Sequence, residues 1–307
     1  MLEGRYCNPC HNYKDSVVIQ VVCIPFVISE PPSSLERFVA AIKQLNDLLD
    51  GRVNLPASAE TLAEQYSSAK PFEHLVIDNL FPNDMVEGLL AEMPGFNDPN
   101  WFLFDDGNLL KFNTRSPVEF GPKAAEFAGF LHSALFLHLM SSLTGVEDLI
   151  PDPYMHGGGF HGVPRGGKFD IHVDSNIHKT TGLHRRIAII VFLNKEWKEE
   201  YNGALELWDE SATACGAKVY PTFNRTVIFN SGEKTYHGYP DPLACPRGMF
   251  RRSFLAYYYT NDAKDFTSHS TIYAPSFQRE FKLRQLLEDY APPALLRSAR
   301  KLKARLG

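Results

Sequence analysis

The sequence predicts a mainly β fold, a double-stranded β-helix of the jelly-roll or cupin-like kind, with supporting α-helices mostly towards the N-terminus. Three observations carry that expectation. Between about residues 150 and 262, short apolar stretches recur between Gly, Pro and Asn turns. β-branched and aromatic residues dominate those stretches. Segments with helical spacing of apolar residues lie mainly ahead of this region.

The elements follow in order. Residues 1–32 show no regular period and read as an irregular extension; residues 33–275 then form a single domain. Ser34, with Arg37 three residues later, opens a helical period that runs to about residue 49. Residues 72–79 read as a strand, and Pro82-Asn83-Asp84 opens a helix through about Met93. Residues 123–144 space their apolar side chains for one buried face, which predicts one long supporting helix. Strands are expected at 168–174, 203–208, 225–230 and 251–260. Residues 183–194 begin with charges and continue as an almost unbroken apolar run, the pattern of a strand buried on both faces. The stretches 101–120 and 157–167 are the candidates for a substrate-facing lid. Residues 276–307 form a helical basic tail in which Arg297, Arg300, Lys301, Lys303 and Arg305 cluster. Its ordinary meaning is a solvated face; the alternative is docking to an acidic partner or a membrane surface.

Composition narrows the class. With 44% hydrophobic and 22% charged residues, the 307-residue chain reads as a soluble globular protein. A formal net charge of −5 argues against an electrostatic grip on nucleic acid. Residues 17–28 are apolar but too few to span a bilayer, and they lack the basic leader and cleavage site of a signal peptide. Five cysteines without framework spacing fit a reducing compartment, so a cytoplasmic location is expected; the oligomeric state is not predicted. Cys7-Asn8-Pro9-Cys10-His11 matches the spacing of c-type haem attachment, and with Cys23 it could contribute to a zinc site. A surface thiol pair is the simpler reading.

The chemistry concentrates around His172-Val173-Asp174. Strand alternation has period two, so both side chains leave one face of the 168–174 strand. An imidazole beside a carboxylate can hold a divalent metal if a third ligand arrives, and His237 is placed to supply it. Two histidines and one carboxylate on one face leave the opposite face open, as non-haem Fe(II) oxygenases require. His156, His161, His178 and His184 lie near the triad in sequence and read mostly as loop or surface residues, with a titratable contact in the substrate pocket as the alternative for one of them. Arg185 and Arg186 read as a solvated strand entrance or a structural ion pair, with contact to an anionic substrate as the alternative.

The order of motifs carries a family resemblance. Gly157-Gly158-Gly159-Phe160-His161 and Gly166-Gly167-Lys168-Phe169 lead into His172-Val173-Asp174. Phe192-Leu193-Asn194, Gly203-Ala204-Leu205-Glu206-Leu207-Trp208, Asn224-Arg225-Thr226, His237-Gly238 and Arg251-Arg252-Ser253 follow. Over about residues 151–259 the chain resembles the Fe(II)- and 2-oxoglutarate-dependent dioxygenases, within them the prolyl-hydroxylase-like branch. That resemblance implies His172, Asp174 and His237 as Fe(II) ligands, 2-oxoglutarate as co-substrate, O2 as oxidant and ascorbate as an ancillary reductant. It also implies an arginine on the last strand that pairs with the distal carboxylate of 2-oxoglutarate. Arg252 is the expected residue, from its distance to Tyr258 and Tyr259; Arg251, one position away, faces the opposite side of the strand. Phe192 stands where many relatives carry a tyrosine that adds a hydrogen bond to the co-substrate, and Leu205 and Thr226 are candidate wall residues.

The implied activity is hydroxylation of an unactivated C–H, with release of succinate and CO2. The small-molecule, amino-acid or peptide substrate is taken first to be a prolyl residue or an amino acid. Two alternatives remain open: a tailoring oxygenase of a small metabolite, lipid or sugar, and an oxygen- or iron-sensing binding module with little turnover.

Overall fold

A computed structural model describes residues 49, 51–95, 97–114, 116–261 and 267–277. Leu49 is helical, in keeping with the helix expected to end there. The rest of that helix, the extension 1–32 with its Cys7 and Cys10, and the basic tail beyond Phe277 lie outside the described residues.

The chain continues through α1 (Ala59–Ser68), β1 (His74–Asp78) and α2 (Asn83–Ala91). A hairpin follows, β2 (Trp101–Asp105) and β3 (Leu110–Thr114), then α3 (Pro122–Leu131) and α4 (Ala134–Thr144). The remaining strands are β4 (Ile150–Pro151), β5 (Gly159–Pro164), β6 (Phe169–Val173), β7 (His184–Phe192) and β8 (Leu205–Trp208). β9 (Cys215–Val219), β10 (Arg225–Asn230), β11 (His237–Tyr239), β12 (Phe250–Thr260) and β13 (Ile272–Tyr273) complete the series.

These strands form two antiparallel sheets, as the jelly-roll expectation requires. The larger runs β1-β10-β7-β12-β5-β3-β2, with β4 attached to β12; the smaller runs β13-β6-β11-β8-β9. The apolar run of β7 is explained by what covers it. Ile187, Ile189 and Val191 pack with Phe127, Phe136 and Met140 of α3 and α4, while Ala188, Ile190 and Phe192 face Leu205, Leu207 and Val219 of the smaller sheet. β12 alternates in the same way, Phe254, Ala256 and Tyr258 towards the helices and Leu255, Tyr257 and Tyr259 inward. Phe127, Phe136 and Phe254 expose no surface, and each such phenylalanine contributes about 1.5–3 kcal/mol over leaving it in water.

Two expectations need correction. The single helix over 123–144 is two helices bent by 51°, because Ser133 turns back to cap the second, its hydroxyl accepting from the Phe136 N–H at 3.2 Å. The stretch 157–167 is not a lid: β5 lies inside the larger sheet between β12 and β3. The 101–120 stretch instead holds the β2–β3 hairpin, whose Phe104, Leu109, Lys111 and Asn113 line the cavity described below. No single helix among the described residues is long and apolar enough to cross a membrane.

Candidate metal centre

His172 and His237 arrive from different strands and meet in register, His172 on β6 directly opposite His237 on β11. Asp174 follows β6 by one residue, on the same face as His172. Each histidine is fixed by its own backbone: His172 Nδ1 lies 2.8 Å from the Asp170 carbonyl oxygen, and His237 Nδ1 lies 2.9 Å from that of Thr235. A carbonyl only accepts, so both Nδ1 atoms carry the hydrogen and both Nε2 atoms present lone pairs. Those lone pairs face Asp174. His172 Nε2 is 3.4 Å from Oδ1, and His237 Nε2 is 3.9 Å from Oδ2. His172 Nε2 is buried with no hydrogen-bond partner.

A cluster of acceptors with no proton to share is poorly satisfied alone and well satisfied by a divalent cation. The ligand atoms lie within 4.8 Å of one another, and the backbone bonds behind both rings are the outer support that metal-binding histidines use. The donor set therefore fits a divalent metal on the observed geometry.

The electrostatics agree. Burial alone would push the Asp174 carboxyl up, but its surroundings more than offset it and hold it below the usual carboxylate range; with both imidazoles neutral, the cation that does so is Arg185. Burial pushes His237 down to about 4, so its imidazole stays neutral and free to donate its lone pair.

Arg185 is the nearest cation, Nη1 to Asp174 Oδ2 at 3.5 Å, with its guanidinium 4.0 Å from the centre of the Tyr257 ring. Of the two readings of Arg185, the buried ion pair is the one found. Strict alternation would send it towards the helices with Ile187. A register shift against Tyr258 and Tyr259 sets Arg185 opposite Tyr259 and turns it inward.

The triad opens into a cavity of about 340 Å³. At its far wall stands Arg251, not Arg252. β12 alternates, so Arg251 and Ser253 share the inward face with Leu255, and Arg252 points the other way, outside the cavity lining. The expectation of Arg252 inside the pocket is overturned by one residue of phase. Arg251 is buried, its Nε donates to the Gly203 carbonyl at 2.7 Å, and its guanidinium lies between the Phe192 and Tyr239 rings at 4.9 and 4.3 Å. Its Nη2 is buried without a partner, and burial pushes its pKa down to about 10. A desolvated guanidinium with an unused N–H is a receptor for a carboxylate. Leu205 lines the cavity as expected; Thr226 is buried elsewhere.

Sequence reasoning missed two polar wall residues, Lys111 and Asn113 on β3. His161 and His178, read mostly as loop or surface residues, are both buried against the cavity, where Asn113 is buried and Lys111 half-buried. His178 belongs to a second group of metal-ligating types, with Asp152 and His156. Its Nδ1 accepts from the Thr180 and Thr181 N–H groups at 3.2 and 3.1 Å. The proton therefore sits on Nε2, which donates towards His156 Nδ1 at 3.0 Å and Asp152 Oδ1 at 3.2 Å. With no lone pair to offer, His178 braces two loops instead of binding a metal.

Residues 158–260 match the 2OG-Fe(II) oxygenase superfamily. Among solved structures, the chain is similar to a prolyl-4-hydroxylase of Pseudomonas putida, at 16% identity over 66% of this chain and 100% of that one, with a TM-score of 0.47. A prolyl hydroxylase of Trichoplax adhaerens, in complex with a peptide fragment of the hypoxia-inducible factor oxygen degradation domain, aligns at 15% identity over 72% and 92%, with a TM-score of 0.49. HygX of Streptomyces hygroscopicus, with nickel, 2-oxoglutarate and hygromycin B bound, aligns at 13% identity over 63% and 85%, with a TM-score of 0.40. No curated protein matches the sequence. The similarity to the 2OG-Fe(II) oxygenase superfamily spans residues 158–260, the segment that contains His172, Asp174, His237 and Arg251.

Proposed function

We propose that His172, Asp174 and His237 hold Fe(II), that Arg251 anchors the distal carboxylate of 2-oxoglutarate, and that the enzyme hydroxylates a C–H bond of a prolyl residue or an amino acid. The observation that carries the reading is the acceptor-only convergence of two Nε2 lone pairs and the Asp174 carboxylate at one end of the cavity. Bound Fe(II) supplies the oxidation, in which O2 converts 2-oxoglutarate to succinate and CO2 and a substrate C–H to C–OH.

The protein's own part is positional. The Asp170 and Thr235 carbonyls fix both imidazoles in the metal-binding tautomer. Arg185 pairs with the Asp174 oxygen that lies towards His237 and keeps the carboxylate ionised. Arg251, clamped between Phe192 and Tyr239, offers its unused Nη2 to the co-substrate, so an arginine-centred site replaces the hydroxyl that Phe192 lacks. The motif order from Gly157 to Ser253 supports the prolyl or amino-acid substrate.

Succinate release from the Fe(II)-loaded protein, screened against prolyl peptides and free amino acids, tests the reading. A stimulated rate with a product heavier by one oxygen atom is expected. Substrate-independent decarboxylation with no oxidised product would replace the enzyme with a sensor.

A further inference from the structure

Lys111 is a cation in the cavity wall with no ion-pair partner among the described residues. Among the described residues it makes no hydrogen bond or ion pair; its ammonium meets the Phe169 ring at 5.1 Å and the Phe104 ring at 5.8 Å. Phe169 in turn stacks on His172 with ring centroids 3.6 Å apart, which puts the lysine beside the proposed metal. Two residues along β3, on the same face, Asn113 donates its amide N–H to the Thr114 carbonyl and keeps Oδ1 buried with no partner.

Arg185 balances Asp174. Bound Fe(II) and dianionic 2-oxoglutarate together carry no net charge, so Arg251, which would hold the distal carboxylate, leaves one positive charge over. Lys111, half-buried, adds a second positive charge to the same wall, where an unpaired ammonium is costly until an anion arrives.

We propose that the substrate is a small carboxylic acid of the amino- or imino-acid type, whose carboxylate is held by Lys111 and whose N–H is accepted by Asn113 Oδ1. This deepens the proposed function and rests on it, choosing the free acid over an internal prolyl residue, which has no carboxylate to offer. The size of the site agrees: about 340 Å³ lies near the bottom of the ~300–1,000 Å³ range of ligand pockets and must also admit 2-oxoglutarate. Burial lowers Lys111 to about 8, in keeping with an ammonium that lacks an anion. A solvated lysine stem resting on two rings is the competing explanation, and it predicts no response to carboxylates.

The experiment uses Zn(II)-loaded full-length protein with ¹³C-dimethylated lysines, the Lys111 resonance assigned by its loss in Lys111→Arg. Calorimetry first establishes whether 2-oxoglutarate binds; failure there removes the proposed function itself, whatever Lys111 does. With 2-oxoglutarate saturating, propionate and L-proline are titrated, and then their carboxamides. The expected result is a saturable shift of the Lys111 resonance with each acid and none with the amides. No shift with either acid overturns the proposal. A shift that occurs only when 2-oxoglutarate is absent also overturns it, because the co-substrate then occupies Lys111.

Discussion

His172 and His237 face each other across β6 and β11, and each bonds through Nδ1 to the carbonyl two residues before it, at 2.8 and 2.9 Å. The same local device on two strands aims both Nε2 lone pairs at one point beside Asp174. The spacing of the two strands is thus the spacing of the proposed ligands.

That spacing depends on Gly238. A Cβ added there would come within 2.7 Å of the Phe169 carbonyl oxygen and 2.9 Å of that of Asp170, both backbone atoms of the facing strand. Gly238→Ala is expected to push β11 away from β6 and weaken Zn(II) affinity by about 10–100-fold, the range for disturbed metal support. Calorimetric titration of Zn(II), with circular dichroism as the check on folding, measures it.

Arg251 and Arg252 make a matched pair of controls. Arg251→Met is expected to weaken 2-oxoglutarate binding by about 10–100-fold, the worth of about 1.5–3 kcal/mol for a hydrogen bond to a charged group. Arg252→Met, on the opposite face of β12, is expected to leave that affinity alone. Calorimetry on the Zn(II)-loaded proteins compares the two directly.

Arg185→Met removes one half of a buried ion pair and leaves Asp174 uncompensated. The metal-free protein is expected to lose about 3–5 kcal/mol. A bound cation re-pairs the carboxylate, so the loss should shrink when Zn(II) is present. Urea unfolding with and without the metal reads both numbers.

Lys111 gives a pH dependence with a definite sign. Its folded pKa is lowered to about 8 against an ordinary lysine's 10.5, so the unfolded chain binds the extra proton between those values. Stability therefore rises with pH across that window, and below about pH 8 the full cost of burying the ammonium is present. Lys111→Met should raise the melting temperature of the metal-free protein at pH 7 by about 2–4 °C, the response to about 1 kcal/mol. The gain should fade as pH climbs from about 8 towards 10.5, followed by differential scanning calorimetry.

Much of this was legible in the sequence because it depends on local patterns. Period two placed His172 and Asp174 on one face, and the apolar run of 183–194 announced a strand covered on both sides by the helices and the smaller sheet. What escaped was phase and long-range placement. Arg251 and Arg252 differ by half a period, and the useful signal was the row of polar groups at Arg251, Ser253, Tyr257 and Tyr259 against Phe254 and Ala256 on the other face. Arg185 turns inward through a register shift that no single-strand pattern reports. Lys111 and Asn113 come from a hairpin far upstream, and the pairing of β3 with β5 brings them to the cavity.

The most direct test is anaerobic addition of Fe(II) and 2-oxoglutarate to the purified protein, followed by visible absorbance. The arrangement predicts a weak charge-transfer band near about 500–530 nm, as expected for 2-oxoglutarate chelated at an open three-ligand iron site, lost in His172→Ala and weakened in Arg251→Met. Iron that binds without producing the band, or a band that survives in His172→Ala, would contradict the assignment.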